Sequence, residues 1–531
     1  MPLDLVPEKL LERARDQERK HGWLYAAWSY EQALHSIAET ETSAAEIGER
    51  IGFCYKRASR QSEDLEEFTK LREQAAAAYQ KAARLFEKKD SVANLGKSAQ
   101  CDALAKYSRS WLASTLTEKA KTLDECRVFG DKALESFQKA GDNLNYGKTC
   151  NLLLLCLFER LYVAPTHKEK RIIAQEAMHL SNNALPVLSM LEDKSELLQA
   201  YSLLSLHNWY VADIVSEREE DRKELADLAV SYSDKAVSLS REVDNPYDAA
   251  LSQWAAALCT LSFTENITSA LEYAKGMLHQ GNVVNDNYLK GVAFYILAFA
   301  TDWAVAKEAD PDKRKERYEE TIKYAQAAER CLTLVAQDSI IGETYLFYGQ
   351  SYSSLAYEST SPLEKLAFSK KAVEVGQKGL EYAVRSGSPD AIGSTLHALS
   401  KALHFSANLE PSADDKKKLQ EEALGYRKEY NRVVEKAFPS MDWVLGVGKI
   451  YKAQLERELS RLESDESKKR TLLEQAVTDM DDGVSKCKKW ITSRPTPSHI
   501  VFVAEFEDSF GKILEELYLL TEEEKTLHKA N

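Results

Sequence analysis

A three-position motif recurs ten times along this 531-residue chain and limits the folds open to it. In each copy a small residue is followed four positions later by a ring or another residue, and three positions after that by a third, mostly small, residue. The positions i, i+4 and i+7 share one helical face, so small residues there let a neighbouring helix approach closely. The motif therefore predicts a stack of like helical units, each packed on its neighbours. The copies begin at Ala26, Ala75, Ala133, Ala177, Ala229, Ala270, Thr321, Ala372, Ala423 and Ala476.

Each unit follows one plan, in which an apolar first helix and a polar connection precede a second helix that carries the motif. Around Ala372 we expect a first helix over 340–358 and a second over 363–383. Prolines fall at the joints, where the missing N–H costs nothing. Asn245, Asp310, Ser361 and Ser388 each precede a proline and are predicted helix caps. Pro186 lies within a motif helix, so we expect a kink or an early end there.

Composition narrows the classes of function. A net charge of −14 argues against a general nucleic-acid-binding surface, which needs clustered Lys and Arg. The longest apolar stretches, 152–158 and 291–300, are shorter than the ~20 residues of a membrane helix. The eight cysteines form no Cys-x-x-Cys pair and are predicted to be reduced and buried. The N-terminus lacks the pattern of a signal peptide, and we expect a cytoplasmic protein without membrane insertion.

The motif resembles the second-helix signature of the tetratricopeptide-repeat family, in which Ala is followed by an aromatic residue and then by Ala. Gly349 and Tyr352 also have the family's first-helix spacing. The resemblance covers about residues 7–490 and implies a solenoid of helical hairpins whose first helices line a concave groove. It departs from the family in length, since the last four spacings are 51, 51, 51 and 53 residues against a family repeat of ~34. Three copies match the signature in full: Ala26-Tyr30-Ala33, Ala75-Tyr79-Ala82 and Ala133-Phe137-Ala140.

Residue patterns for catalysis or metal binding are weak. The stretch from Gly446 to Lys449 lacks the earlier glycine and the following Ser or Thr of a phosphate-binding loop, so the glycines are predicted to serve helix contact. His397 and His404 would lie two turns apart on a helix, too far for one metal ion without other ligands. We therefore expect no metal, no cofactor and no enzyme activity.

Aromatic and polar residues of the middle first helices are the candidate ligand contacts. Tyrosines at 345, 348, 352 and 357 are interpreted first as core, with lining of a wet pocket as the alternative. If the first helices line the groove, its walls between about residues 200 and 400 are aromatic with scattered polar groups, which suits an extended peptide or an amphipathic helix. The predicted groove residues are His207, Asn208, Tyr210, Gln253, Trp254, Tyr295, Asp302, Trp303 and Gln350.

The sequence thus predicts an all-α, right-handed superhelical solenoid of about ten long antiparallel helical hairpins. Residues 1–497 form the predicted repeat array, and residues 498–531 a C-terminal capping helix with a polar tail. The leading hypothesis for function is a non-catalytic scaffold or adaptor that binds a protein or peptide in its groove. The alternative is a sensory or regulatory module that responds to a small molecule or signalling peptide. Curvature of the superhelix and oligomeric state are left open.

Overall fold

The computed structural model describes residues 7–35, 42–192, 194–216, 218–493 and 497–521. These residues form twenty-one α-helices and no β-strand. The first ten are α1 (Pro7–Arg19), α2 (Trp23–His35), α3 (Thr42–Ala58), α4 (Leu65–Glu87), α5 (Val92–Ser110), α6 (Leu116–Ala140), α7 (Asn143–Val163), α8 (His167–Leu188), α9 (Lys194–Tyr210) and α10 (Glu219–Ser240).

The remaining helices continue the same alternation. They are α11 (Pro246–Cys259), α12 (Ile267–Val283), α13 (Asn287–Val305), α14 (Pro311–Thr333), α15 (Asp338–Glu358), α16 (Pro362–Ser386), α17 (Pro389–Leu409), α18 (Ala413–Ala437), α19 (Asp442–Leu462), α20 (Glu466–Ser493) and α21 (Pro497–Thr521). A π-helical turn extends α9 over Val211–Val215, and another extends α11 over Thr260–Thr264. A 3-10 turn, Ser59–Gln61, follows α3.

The ten motif copies fall one to each even-numbered helix, from α2 to α20. The prediction of about ten hairpins is therefore confirmed. Every motif residue is buried except Ala140, which lies at the C-terminal end of α6 and is exposed. The third motif copy therefore lacks, at its last position, the burial that the pattern predicts.

The predicted joints are confirmed by the caps. The side chains of Asn245, Asp310, Ser361 and Ser388 each accept a backbone N–H bond in the first turn of α11, α14, α16 and α17. Pro186 lies inside α8, which ends two residues later at Leu188. The expected early end is thus present, since proline removes a backbone donor and cannot support further helix.

Odd-numbered helices form the inner layer of the array. Helix α9 packs on α7 and α11, and α15 packs on α13 and α17, in addition to the contacts within each hairpin.

Small residues permit close approach of the two helices within a hairpin. A Cβ added at Gly446 of α19 would lie 2.6 Å from Sγ of Cys487 and 2.7 Å from the carbonyl oxygen of Gly483. The prediction that this glycine serves helix contact is confirmed.

The superhelix closes on itself through contacts between distant repeats, which we call seams. At the first seam the indole Nε1 of Trp23 in α2 donates a 2.8 Å bond to the hydroxyl of Tyr247 in α11, nine helices later. At the second, Nζ of Lys170 in α8 lies 3.5 Å from Oδ2 of Asp390 in α17, again nine helices later. The inner face therefore encloses an interior rather than an open groove.

Candidate functional site: the interior of the superhelix

A chain of aromatic rings runs through the interior from Trp111 to Tyr210, whose hydroxyl contacts Lys170 of the second seam. From Trp111, ring centroids follow one another at 5.1 Å to Tyr288, 6.2 Å to Trp254 and 6.0 Å to Phe158. The chain continues from Phe158 at 5.3 Å to Tyr162, and from Tyr162 at 5.0 Å to Tyr210. We call these six rings the interior aromatic chain. It joins Trp111, which directly follows α5, to residues of α7, α9, α11 and α13.

Three of the predicted groove residues lie in or against this chain and are buried. Trp254 and Tyr210 belong to it, and the ring of His207 lies 5.5 Å from that of Phe158. His207 bonds through Nε2 to the carbonyl oxygen of Leu154 at 2.7 Å. Burial lowers the pKa of His207 to about 4, which keeps the ring neutral at physiological pH. These side chains support the fold of the interior and offer little surface to a partner.

The end of the chain at Tyr210 carries a buried charged cluster. Lys170 is fully buried, and its Nζ donates to the carbonyl oxygen of Leu161 at 3.1 Å and to the hydroxyl of Tyr210. Burial and the charge of Asp390 raise the pKa of Glu343. The hydroxyl of the predicted groove residue Tyr295 donates to Glu343 at 3.1 Å. One oxygen of Glu343, Oε1, is buried and has no hydrogen-bond partner.

A half-exposed aromatic surface follows α13 away from this cluster. Tyr295, Phe299 and Trp303 are spaced by one helical turn, and Trp303 is 37% exposed. Phe347 of α15 stacks on Phe299 with centroids 5.0 Å apart. Burial raises the pKa of Asp302 to about 7, opposed by the charge of Lys401 on α17. We call the partly exposed Tyr295, Phe299, Asp302 and Trp303, with the buried ring of Phe347 that stacks on Phe299, the α13 surface.

The three remaining predicted groove residues are half-buried, and their described contacts are with residues outside the α13 surface. Asn208 donates to the carbonyl oxygen of Leu204 in its own helix at 2.7 Å. Gln253 packs towards Gly276 of α12, so it faces the second helix of its hairpin. Gln350 is half-buried on α15. Of the tyrosines on α15, Tyr345 and Tyr348 are core, Tyr352 is half-buried and Tyr357 is exposed.

The sequence analysis missed a basic cluster at the Trp111 end of the interior. Lys56 and Arg57 at the end of α3, Arg60 in the following turn and Arg72 in α4 lie where the first repeats meet α11 and α13. Arg57 lies 3.5 Å from the ring centroid of Tyr247, and Arg72 lies 4.1 Å from that of Trp111. Because Lys56, Arg57 and Arg60 follow one another in a polar stretch, they have the pattern of a solvated helix end. The contacts of the first seam place them in the interior of the superhelix instead.

A second buried arginine, Arg427, occupies the ring position of the ninth motif copy in α18. It is 1% exposed and bonds to Nδ1 of His397 at 3.0 Å. Its guanidinium lies 4.9 Å from the ring of Tyr430 and 5.2 Å from that of Tyr451. Burial lowers its pKa to about 10. Arg427 therefore packs with His397, Tyr430 and Tyr451, at the motif position where earlier copies place an aromatic ring.

Within the described ranges, no group of three or more His, Cys, Asp or Glu residues could hold a metal ion. All eight cysteines are free thiols, seven of them buried and Cys331 half-buried. The prediction of reduced, buried thiols is thereby confirmed for those seven. No helix in the described part of the chain is long and apolar enough to cross a bilayer.

Comparison with known proteins gives likenesses to solved structures alone. No protein-family model matches the chain, and no curated protein matches it either. A signal transduction ATPase with numerous domains and a tetratricopeptide-repeat sensor, from Pyrococcus horikoshii, is 14% identical with a TM-score of 0.44, over 95% of this chain and 75% of that one. Yeast Tom70 is 12% identical with a TM-score of 0.36, over 97% and 98%. The Cut9–Hcn1 hetero-tetramer of APC/C is 13% identical with a TM-score of 0.30, over 99% and 96%.

At such scores these likenesses carry no conclusion about function. The class of protein follows from the helices themselves, which are paired, tandem and marked by one motif in each second helix. The chain is an all-α superhelical repeat protein built from tandem pairs of helices. Its particular features within that class are long hairpins and a superhelix closed by seams.

Proposed function

We propose that this protein is a non-catalytic interaction scaffold that binds a peptide segment of a protein partner on the α13 surface. The supporting observation is a run of aromatic rings that stays accessible on the inner layer, ending at Trp303. Trp254 and Tyr210, by contrast, are buried in the interior. Rings with accessible faces provide much of the binding energy at protein interfaces, and Trp and Tyr are enriched among such contacts.

The polar groups around these rings suit a peptide. Asp302 can accept a backbone N–H or a basic side chain, and Lys401 on α17, whose charge acts on Asp302, can pair with a carboxylate. Apolar and hydrogen-bonding groups alternate along this face. An extended strand or an amphipathic helix presents apolar and polar groups in a similar alternation, so either kind of peptide would fit.

The polar clusters of the interior support binding over catalysis. Lys170 and Tyr210 are both fully buried, so a substrate could not reach their reactive atoms without opening of the second seam. The free thiols also favour a reducing compartment, in agreement with the expected cytoplasmic location. We accordingly retain the hypothesis that the chain is not an enzyme.

The test compares two tryptophans of similar exposure. Trp303 is 37% exposed on the α13 surface, whereas Trp28 is 47% exposed on α2, at the other end of the array. We would purify wild type, Trp303→Ala and Trp28→Ala from the native host and identify the bound proteins by mass spectrometry, with melting curves to check folding. Loss of a specific partner in Trp303→Ala, but not in Trp28→Ala, is the expected result. Equal capture by all three folded proteins would reject the α13 surface.

A regulatory module is the second candidate, favoured by the unpartnered oxygen of Glu343 beside the Lys170–Asp390 contact. A small molecule that donates to this oxygen would bind at the second seam and bias the superhelix towards its closed form. Its signature would be a ligand-dependent rise in melting temperature that Glu343→Gln removes. A scaffold alone would show no such response to metabolites.

A further inference from the structure

The first seam gathers four cations with few carboxylates to balance them. The charges of Arg57, Arg72 and Arg60 all act on Lys56, and that of Arg60 acts on Arg57 and Arg72 as well. Arg60 is the only one within ion-pairing distance of a described carboxylate, with its Nε 3.0 Å from Oδ2 of the fully buried Asp286. The other three side chains therefore have no direct carboxylate partner in the described structure.

The other acidic residues nearby are engaged elsewhere. Glu159 pairs with Lys119 at 3.2 Å and accepts from the hydroxyl of Tyr107. Asp248 accepts from the side chains of Gln199 at 3.0 Å and of Asn245 at 2.8 Å. Both carboxylates act on the cluster only at longer range. Their contribution leaves the buried guanidinium groups short of acceptors.

Several donors of the cluster have no acceptor at all. These buried atoms are Nε of Arg57, Nε and Nη1 of Arg72 and Nε1 of Trp111. Arg72 is only 1% exposed, so water contributes little to its solvation. Burial lowers the pKa of Arg72 to about 10, and burial with the neighbouring arginines lowers that of Lys56 strongly. A buried charge without acceptors is unfavourable, so the fold maintains this arrangement against an energetic penalty.

The cluster is partly accessible. Lys56, Arg57 and Arg60 are half-buried, so part of each side chain can be reached by a ligand from solvent. Tyr247 and Tyr288 lie beside them, with Arg60 4.7 Å from the ring centroid of Tyr288. Guanidinium groups present paired N–H donors that match two oxygens of a phosphoryl or carboxylate group. The rings would hold an apolar portion of the same ligand.

We propose that Lys56, Arg57, Arg60 and Arg72, with the indole N–H of Trp111, form an anion-binding site for a small ligand that carries a phosphoryl group or two carboxylates. This site is separate from the α13 surface and does not depend on the proposed protein partner. Since the cations come from α3, its following turn and α4, while Tyr247, Asp286 and Tyr288 come from the α11–α13 region, an anion bound here also holds the first seam closed.

The experiment measures the melting temperature of the full chain in buffer with sodium chloride and with a few millimolar sodium pyrophosphate or succinate, at equal ionic strength. Low concentrations are required because phosphate-like salts stabilise proteins generally when concentrated. Titration calorimetry with pyrophosphate then gives the affinity. We expect pyrophosphate to raise the melting temperature; a matching effect of succinate would show that any dianion suffices, and its absence would assign the site to phosphoryl groups.

Two variants and one control locate the effect. In Arg57→Gln and in Arg72→Met, pyrophosphate affinity should fall about 10- to 100-fold, as expected for the loss of charge-assisted hydrogen bonds. Arg427→Met removes the other buried arginine that lacks a carboxylate partner and should keep the full response. Without pyrophosphate, Arg72→Met should melt at or above the wild-type temperature, because it removes an uncompensated buried charge.

Two results would overturn the proposal. One is the absence of any response of the wild type to either anion beyond that to sodium chloride. The other is a response that persists in both Arg57→Gln and Arg72→Met, or that disappears in Arg427→Met. If Arg72→Met fails to fold, Arg57→Lys replaces it, since this variant retains the charge and loses the paired donors, and an unchanged affinity in it would equally count against the site.

Discussion

Nζ of Lys170 in α8 and Oδ2 of Asp390 in α17 lie 3.5 Å apart, although 220 positions separate the two residues in sequence. Lys170 is fully buried, and 14% of the Asp390 side chain is exposed. A lysine in such a place is tolerated only because a carboxylate, a carbonyl oxygen and a hydroxyl surround it. The second seam is therefore stabilised by an electrostatic contact as well as by packing.

Asp390→Asn should destabilise the protein by about 3 kcal/mol, because it leaves the buried ammonium group of Lys170 without its counter-charge. Urea unfolding would measure the loss. Asp124→Asn is the matched control, since Asp124 pairs with Arg160 on the surface with 57% of its side chain exposed. The control should change stability by less than about 1 kcal/mol. Equal effects of the two variants would contradict this account of the seam.

Asp302→Asn should change how stability depends on pH. Burial raises the pKa of Asp302 to about 7 in the folded chain, above its ordinary value of 3.8. The folded state therefore holds this proton more tightly, and its contribution to stability is lost as the pH rises from about 4 to 7. The melting temperature of Asp302→Asn relative to wild type should rise across that interval and then level off. A difference independent of pH would show that Asp302 is not desolvated.

Trp254→Ala and Trp303→Ala should separate the core from the α13 surface. Trp254 lies between Phe158 and Tyr288, so its removal leaves a cavity and should cost about 3–5 kcal/mol. Trp303 is 37% exposed, and its replacement should cost much less. Thermal denaturation of the two variants provides the comparison. A larger loss for Trp303→Ala would assign that ring to the core and remove it from the proposed partner site.

Gly446→Ala should destabilise the last hairpin by about 1–3 kcal/mol, because the new methyl group would meet Sγ of Cys487 and the backbone oxygen of Gly483. Gly425→Ala is the control within a neighbouring helix, since no atom lies within 4 Å of a Cβ added there. It should stabilise the protein by about 0.5–1 kcal/mol through helix propensity. Denaturant unfolding measures both, and a neutral Gly446→Ala would mean that α19 and α20 can separate without cost.

Local chemistry explains why so much of the fold could be predicted. Proline at the first turn, a capping side chain before it and small residues at i, i+4 and i+7 all act within a few residues or between adjacent helices. The expected helices over 340–358 and 363–383 accordingly correspond to α15 (Asp338–Glu358) and α16 (Pro362–Ser386). Only their ends were misjudged, by up to three residues.

Contacts between distant repeats leave no such local pattern. Nothing near Arg57 in sequence indicates that Tyr247 will lie against it, because the superhelical pitch that brings them together sums small rotations over eight helices. For the same reason His207, Tyr210 and Trp254 could be placed on inner helices from sequence, but their enclosure could not be foreseen. The predicted groove residues with the most accessible surface lie farther along, on α13.

The bond from Trp23 to Tyr247 has a mechanical consequence. A solenoid whose repeats contact only their neighbours extends under load like a spring, each hairpin yielding a little. Here the coils are fastened to one another, so a pulling force along the axis first meets the shear strength of the seams. Extension in an optical trap would begin with abrupt rupture at the seams and become elastic only afterwards, and a molecule built in this way transmits tension along its axis with little stretch.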